Sequence, residues 1–316
     1  MKRLLAVAVA LAFVVVPLGA YVRLSDAGLG CPDWPGCYGH LLGIPDAAGA
    51  IPLAATDSAK AWKEMIHRYA AGTLGLLVVA VAANAWRPRR RQRHSPALPT
   101  LLFGLVVLQS LLGMWTVTLL LKPLVVTAHL LGGMATLGLL LWLLLREAAP
   151  TSSAAPPLSP TGAVALAAIA VQIALGGWVS SHYAGYACPD FPACRADNWL
   201  PVDVPTAIHI AHRGGALLVA LAVAVFAVDL RRRRMTQPAW LIAAALILQV
   251  GLGIACVRMQ LALPLAVAHN LGAAFLLAAV LFANAAGRQR GNAAARTTSA
   301  AASLNAFRIE TLLRRR

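Results

Sequence analysis

The stretch CPDWPGC at residues 31–37 returns as CPDFPAC at 188–194, and around this echo the chain falls into two like halves. EMIHR at 64–68 is matched by HIAHR at 209–213. LQSLLG from Leu108, followed by TAHLLGG ending at Gly133, is matched by LQVGLG from Leu248 and VAHNLGA ending at Ala273. The offsets are 157, 145 and 140 residues, so the copies keep their order while their loops differ in length. That period is too long for a solenoid unit and fits the internal repeats of membrane bundles. Each copy brings one histidine in an H-R pair and one in an A-H-x-L-G segment.

Of the 316 residues, 59% are hydrophobic and only 12% charged, with a mean hydropathy of +0.72. Such a composition belongs to a polytopic membrane protein. Apolar stretches near 4–22, 65–86, 98–120, 124–146, 161–181, 205–230, 238–257 and 262–285 each approach the roughly 20 residues that cross a bilayer. The fold class expected is all-α, a bundle of eight transmembrane helices in two pseudo-symmetric four-helix halves. Residues 1–146 form the first half and 161–286 the second. A cytoplasmic linker spans 147–160 (rich in Ala, Pro and Ser), and a basic tail runs from 287 to 316, read as disordered with a basic amphipathic helix over 303–316 as the alternative.

The net charge of +16 invites a nucleic-acid partner, but its distribution excludes one. Arginines cluster at 87–93, at 231–234 and after Gly287, with Lys2 and Arg3 at the start: alternate loops and both termini. By the positive-inside rule these are cytoplasmic, and with Arg146 they account for 19 of the 27 basic residues. The excess is a topology signal, with anionic lipid of the bilayer as its partner. The expected location is a bacterial cytoplasmic (inner) membrane, with both termini cytoplasmic and the cysteine loops periplasmic. Residues 1–20 have the basic start and apolar run of a signal peptide. They lead into YVRLSDAGLGCPDWP just as 161–181 leads into YAGYACPDFP, however, and so are read as a retained first helix.

In the oxidising periplasm the two C-x5-C pairs, Cys31 with Cys37 and Cys188 with Cys194, read as local disulfides closing short Pro-rich loops. A four-thiolate zinc site is the rival, although it needs two distant loops to meet. Cys256 stands alone in the seventh helix as an apolar filler. Gln109 and Gln249 sit at matching points of the third and seventh helices, as interhelical hydrogen-bonding groups or as substrate contacts.

Four of the eight histidines occupy equivalent places: His67 and His212 near the starts of helices two and six, His129 and His269 near the starts of four and eight. All four helices enter from outside, so the imidazoles lie level in the outer leaflet. Ionisable groups there are costly and mark function. Two imidazoles facing each other suit a haem with both axial positions filled. A zinc centre would want a tighter cluster with carboxylate or thiolate help. Small residues surround the histidines (Gly72, Gly75, Gly132, Gly133, Gly214, Gly215, Gly272 and Ala273), serving close helix packing, room for a flat macrocycle, or both. Arg68 and Arg213 follow their histidines and would meet either a propionate or lipid headgroups.

The copies differ at one place. Glu64 precedes His67 by three residues, whereas His209 precedes His212 by three. That spacing puts each pair on one helix face. A carboxylate there can act as a base or stabilise developing positive charge, which a reacting substrate needs and an electron-carrying haem does not. The first half is therefore the candidate for chemistry and the second for a resident cofactor. The bland account of Glu64 is an acidic residue favoured by the dipole in a helix's first turn.

Taken together, VRLSDAGLGCPDWPGC, E-x-x-H-R at 64–68, TAHLLGG, CPDFPAC, HIAHR and VAHNLGA resemble the haem A synthase family, in order, over roughly residues 10–285. The resemblance implies an eight-helix membrane oxidoreductase that oxidises the C8 methyl of haem O to the formyl group of haem A for the terminal oxidase. Successive hydroxylations would draw oxygen from water. It further implies that His67 and His129 flank the substrate haem O, with Glu64 as the essential carboxylate. His212 and His269 would ligate the iron of haem b, which takes electrons away. Cys31–Cys37 and Cys188–Cys194 would be the outer disulfides. Implied partners are haem O and haem A, the haem O-forming prenyltransferase and an unidentified electron acceptor, with self-association into a homo-oligomer left open. Two alternatives stand beside this: a dihaem cytochrome b-like electron carrier using the same histidines, and an assembly subunit that binds haem transiently. Prenyl transfer itself needs aspartate-rich sites for diphosphate and Mg2+, which the helices lack.

Overall fold

The computed structural model describes residues 1–44, 55–87, 95–148 and 158–286. Within these stand eight helices: α1 (Lys2–Leu24), α2 (Ala55–Trp86), α3 (Ala97–Thr118), α4 (Pro123–Ala148), α5 (Pro160–Ser181), α6 (Val204–Arg232), α7 (Thr236–Arg258) and α8 (Leu263–Ala286). All eight contain a stretch long and apolar enough to cross a bilayer, and the chain is a multi-pass membrane protein. Most of the linker, most of the first arginine cluster and the whole tail lie outside the described residues.

Seven helices fall within a few residues of the expected spans. The second differs: α2 begins at Ala55 rather than near 65. Ala, Lys and Trp over 55–63 form helix readily but are too polar to read as a span, so α2 extends beyond the apolar window. Glu64 is consequently the tenth residue of α2, and the first-turn dipole account of its presence falls away. The helix starts follow ordinary capping chemistry. Ser159 accepts from Gly162 N–H ahead of Pro160, and Asp203 with Thr206 forms a capping box at the head of α6. The Thr206 N–H holds the Asp203 carboxyl below its usual range.

In the first half α1 packs on α2, α2 on α3, α3 on α4, and α4 back on α1, a closed four-helix ring. In the second half α5 packs on α6 and α6 on α7. The α8 helix meets α7 through Gly253 and His269, and α5 through Asn284 and Gly162. The halves join along α1, α4, α5 and α8. Phe13 stacks on Phe275 at 5.0 Å, and α4 packs on α5. At the end that carries the cysteine loops Arg23 donates to the Ser180 carbonyl (2.9 Å) and lies over the Tyr183 ring. One apolar core, including Leu5, Leu102, Leu140, Phe226, Ile242 and Val280, runs through both halves. Apolar residues on the outer faces, such as Leu76, Leu217 and Ile247, are exposed and serve as the lipid-facing surface.

At the end away from the cysteine loops, α5 and α8 approach so closely that a Cβ on Gly162 would overlap the Asn284 carboxamide. Asn284 is buried, donates to the Val280 carbonyl and accepts from Ser159. Gly162→Ala should cost about 1–3 kcal/mol as overpacking, read as a lower melting temperature of the detergent-solubilised chain. Adding Asn284→Ala, which removes the obstruction, should recover part of the loss.

Candidate functional site

Both cysteine pairs form disulfides, Cys31–Cys37 with S–S 2.03 Å and Cys188–Cys194 with 2.02 Å. The thiols are consumed in pairs, which removes the four-thiolate zinc alternative. Cys256 is free and buried within α7. The two loops share one construction. Asp33 accepts from Tyr38 and Gly39 N–H at 2.7 Å each, and Asp190 accepts from Ala196 N–H at 2.7 Å. The peptides Trp34–Pro35 and Phe191–Pro192 are both cis. Gly30 lies so close to the α2 backbone at Lys60 and Ala61 that no Cβ would fit there. Leu121, from the turn between α3 and α4, packs against Gly28; Leu261, from the turn between α7 and α8, packs against Gly185.

The arginines of the H-R pairs hold these loops down. Arg68 donates to the carbonyls of Asp33 (2.9 Å), Pro35 (3.2 Å) and Gly36. Arg213 donates to those of Cys188 (2.9 Å), Asp190 (2.9 Å), Ala193 (3.0 Å) and Pro192 (3.4 Å). Each guanidinium thus ties a helix to the disulfide loop above it. Sequence reasoning offered lipid or propionate and missed this use, because a backbone carbonyl leaves no mark on the sequence.

The residue three before each H-R histidine also contacts its loop, with opposite polarity in the two halves. Glu64 is buried (5% exposed), accepting from Cys31 N–H at 3.0 Å and from Arg68 Nη2 at 2.5 Å. His209 is equally buried, and its Nδ1 lies 3.0 Å from the Ala184 carbonyl, to which it donates. The first half therefore places a carboxylate where the second places an imidazole, one turn beyond the level of His67 and His212.

His67 lies on α2, His129 on α4, His212 on α6 and His269 on α8, so each half pairs its two histidines across its own bundle. The ring centres of His212 and His269 stand 6.4 Å apart at an 80° interplanar angle. In the first half His67 and His129 occupy the matching places on α2 and α4. Each imidazole lies against a glycine of the preceding helix: His67 on Gly19, His129 on Gly113, His212 on Gly176 and His269 on Gly253. A Cβ at those glycines would come within 2.9 to 3.4 Å of the ring.

A second contact accompanies three of the four. Gln109 lies against Gly132, Gln172 against Gly215 and Gln249 against Gly272. Each glutamine is four residues ahead of its cradle glycine, and each of the facing glycines three beyond the histidine. Every two-helix hairpin is thus a variation on Q-x3-G facing H-x2-G, and the exception is the first, with Val15 and Ala70 in those places. Gln172 was missed by comparing halves alone, because its counterpart there is Val15. A Cβ on Gly72, Gly133 or Gly214 would meet nothing within 4 Å. Helix packing does not account for these three; Gly133 shares a helix face with His129, whereas Gly72 and Gly214 are exposed and stand well round the helix from His67 and His212. Among the described residues no three or more His, Cys, Asp or Glu cluster as metal ligands, so a zinc centre lacks its donor set.

The fold and site define a duplicated multi-pass membrane protein with paired intramembrane histidines beneath disulfide-closed loops. The chain belongs to the cytochrome oxidase assembly protein family, which it matches over residues 2–281. It is 39% identical to the haem A synthase of Shewanella oneidensis over 89% of this chain and 94% of that protein. The haem A synthase of Bacillus licheniformis is 30% identical over 83% of this chain and 87% of its own length. That of Geobacillus kaustophilus is 30% identical over 84% of each.

Arg213→Gln removes the donors that hold four carbonyls of the second loop. The Cys188–Cys194 bond should then be reduced several-fold faster by a mild thiol, read as maleimide mass shifts, while Cys31–Cys37 keeps its rate.

Proposed function

We propose that the chain is a haem A synthase, an inner-membrane oxidoreductase converting the C8 methyl of haem O to a formyl group. The observation that carries the reading is the pairing of imidazoles across each half. Metal–imidazole bonds are about 2 Å long, so two imidazoles on opposite faces of one iron put their ring centres roughly 6 Å apart. The 6.4 Å between His212 and His269 fits that requirement. We assign His212 and His269 to a resident haem b, which supplies an electron path away from the substrate. His67 and His129 hold the substrate haem O in the first half.

Glu64 is the catalytic residue in this reading. Its carboxylate is fixed by Arg68 and by Cys31 N–H, on the same helix face as His67. There it stabilises positive charge developing at the oxidised carbon and orients the attacking water. Turning a methyl into a formyl group with oxygen from one net water releases four electrons and four protons. Successive hydroxylations divide that into two steps, and an electron acceptor outside the chain takes the electrons. The second half keeps His209 in the equivalent place, where no carboxylate is required. Arg213, whose Nε is buried without a partner, remains the better placed of the two arginines to reach a propionate. The haem O-forming prenyltransferase is the natural supplier of so apolar a substrate. The arginine clusters and both termini face the cytoplasm and the cysteine loops the periplasm. A dihaem electron carrier would use the same four histidines but give Glu64 no substrate to act on.

Co-expression with a haem O source, followed by pigment extraction, tests the reading. The parent should yield haem A, and Glu64→Gln should retain haem while haem A falls at least a hundredfold, in line with the loss of an electrostatic catalytic group. Normal haem A from Glu64→Gln would remove Glu64 from the chemistry. Absence of haem A from the parent would favour the electron carrier.

A further inference from the structure

After its disulfide the first loop makes one more tight turn. Gly43 N–H donates to the Tyr69 hydroxyl at 2.9 Å, and that hydroxyl donates to the Leu41 carbonyl at 3.3 Å. One phenol thus holds both ends of the turn, with Leu42 at its apex. Gly43 has φ +78°, a left-handed conformation that glycine adopts freely. Ile44 then tucks back beneath the loop, buried with Cys31, Cys37, Ala61 and Met65. Leu41 and Leu42 stay outside, 67% and 85% exposed. Tyr69 fixes where this tip lies. It follows His67 by two residues, so it stands on the opposite side of α2 and about 3 Å further from the loop end. It belongs to the stripe of α2 that the bundle leaves uncovered, with Trp62, Ile66, Thr73 and Leu76. The spacing of 62, 66, 69, 73 and 76 is that of one helix face. Tyr69 also lies inside the apolar stretch that begins at residue 65. The turn therefore comes down over the outside of α2 to the depth of the imidazoles.

We propose that Leu41 and Leu42 form a membrane-seated tip, entering the leaflet at the cysteine-loop end and fastened there by Tyr69. The partner is lipid, at the boundary of headgroups and acyl chains, because the tip continues the lipid-facing stripe of α2. Trp62 and Tyr69 on that stripe are side chains of the kind that gather at a membrane interface. Irregular backbone that meets lipid needs its polar groups satisfied within the protein. The Tyr69 hydroxyl does this for one N–H and one carbonyl of the turn. A tip that stood in water would need no such bond, and two large apolar side chains at its apex would gain nothing there.

The second loop repeats the pattern up to the tyrosine. Cys37 N–H donates to the His40 carbonyl at 2.9 Å, and Cys194 N–H to the Asn198 carbonyl at 3.0 Å, closing a turn one residue longer. Each turn is followed at once by a large, exposed apolar pair, Leu41–Leu42 or Trp199–Leu200. The place of Tyr69 is taken by Gly214, however, which has no hydroxyl. Leu200 N–H turns instead to the Asn198 side chain within its own loop. Of the two tips, the first alone is tied to the uncovered side of its helix. It is also the loop whose Cys31 N–H meets Glu64, so the bilayer steadies the loop that orients this carboxylate. The proposal needs no haem, and it stands or falls apart from the assignment of the histidines.

Full-length Leu42→Cys protein, labelled with bimane and reconstituted into vesicles of phosphatidylcholine and phosphatidylglycerol, tests this. Cys256 is buried, and the parent chain treated in parallel gives the background. Two quenchers are compared: a phosphatidylcholine bearing a nitroxide near its headgroup, and iodide in the water. The nitroxide lipid should quench the probe about as strongly as one placed at Ile66→Cys on the uncovered stripe. Iodide should quench it several-fold less than it quenches the bimane–glutathione adduct free in solution. Tyr69→Phe, which releases both ends of the turn, should raise the iodide quenching several-fold. Leu41→Cys takes the place of Leu42→Cys if that variant does not fold. Iodide quenching equal to that of the free adduct overturns the proposal, because the tip then stands in water. Protection from both quenchers also overturns it, since a protein, such as a second copy of the chain, would then cover the tip. An unchanged profile in Tyr69→Phe overturns the fastening.

Discussion

A polar group in hydrocarbon must find its partner inside the protein, and this chain commits four imidazoles to that environment. Much of the structure bears on that condition, and it is not fully met: Nδ1 of His67, His129 and His269 is buried without a partner. Helices satisfy their own backbones, which is why all eight crossings are helical. The imidazoles cannot satisfy themselves, so the neighbouring helix is shaped to them with a glycine against each ring and, in three hairpins, a carboxamide beside it. The same hairpin geometry is repeated four times and then closed into two rings of helices. What differs between the repeats is therefore informative, because the scaffold around each difference is constant.

The disulfide loops belong to the same scheme. Each is knitted by a disulfide and an aspartate, then fastened to its helix by the arginine that follows a histidine. Position along the helix is thereby transmitted to the loop, and the residue one turn further out touches it directly. In the first half that residue is an acid receiving two donors; in the second it is an imidazole donating a hydrogen bond to a carbonyl. Duplication preserved the mechanical connection and exchanged the chemical group. A carboxylate gripped by a guanidinium and a backbone N–H has little freedom to turn. Such pre-orientation is what an electrostatic role requires.

Much of this was legible in the residues. Apolar stretches of membrane length are unambiguous, so seven of the helices fell close to expectation, and the C-x5-C spacing gave both disulfides. The beginning of α2 was not legible, since Ala55 to Lys63 are helix formers without the hydropathy of a span. The loop contacts of the arginines were not legible for a different reason: their partners are main-chain carbonyls brought near by folding. Gln172 was hidden by the comparison used to find everything else. Set beside Val15 it looks like a lone polar residue; set beside Gln109 and Gln249 it is the third member of a series.

The four cradle glycines also bear on how this protein tolerates change. Many membrane glycines can drift to alanine or serine with modest effect, since lipid or a loose neighbour yields. At Gly19, Gly176 and Gly253 the neighbour is an imidazole on which even one methyl group presses, while at Gly113 a methyl would just touch the ring. Every alternative amino acid carries at least that methyl. The first three sites consequently have no mild replacement, and a variant found at any of them in a natural population would be expected to disturb the imidazole before it disturbed the fold.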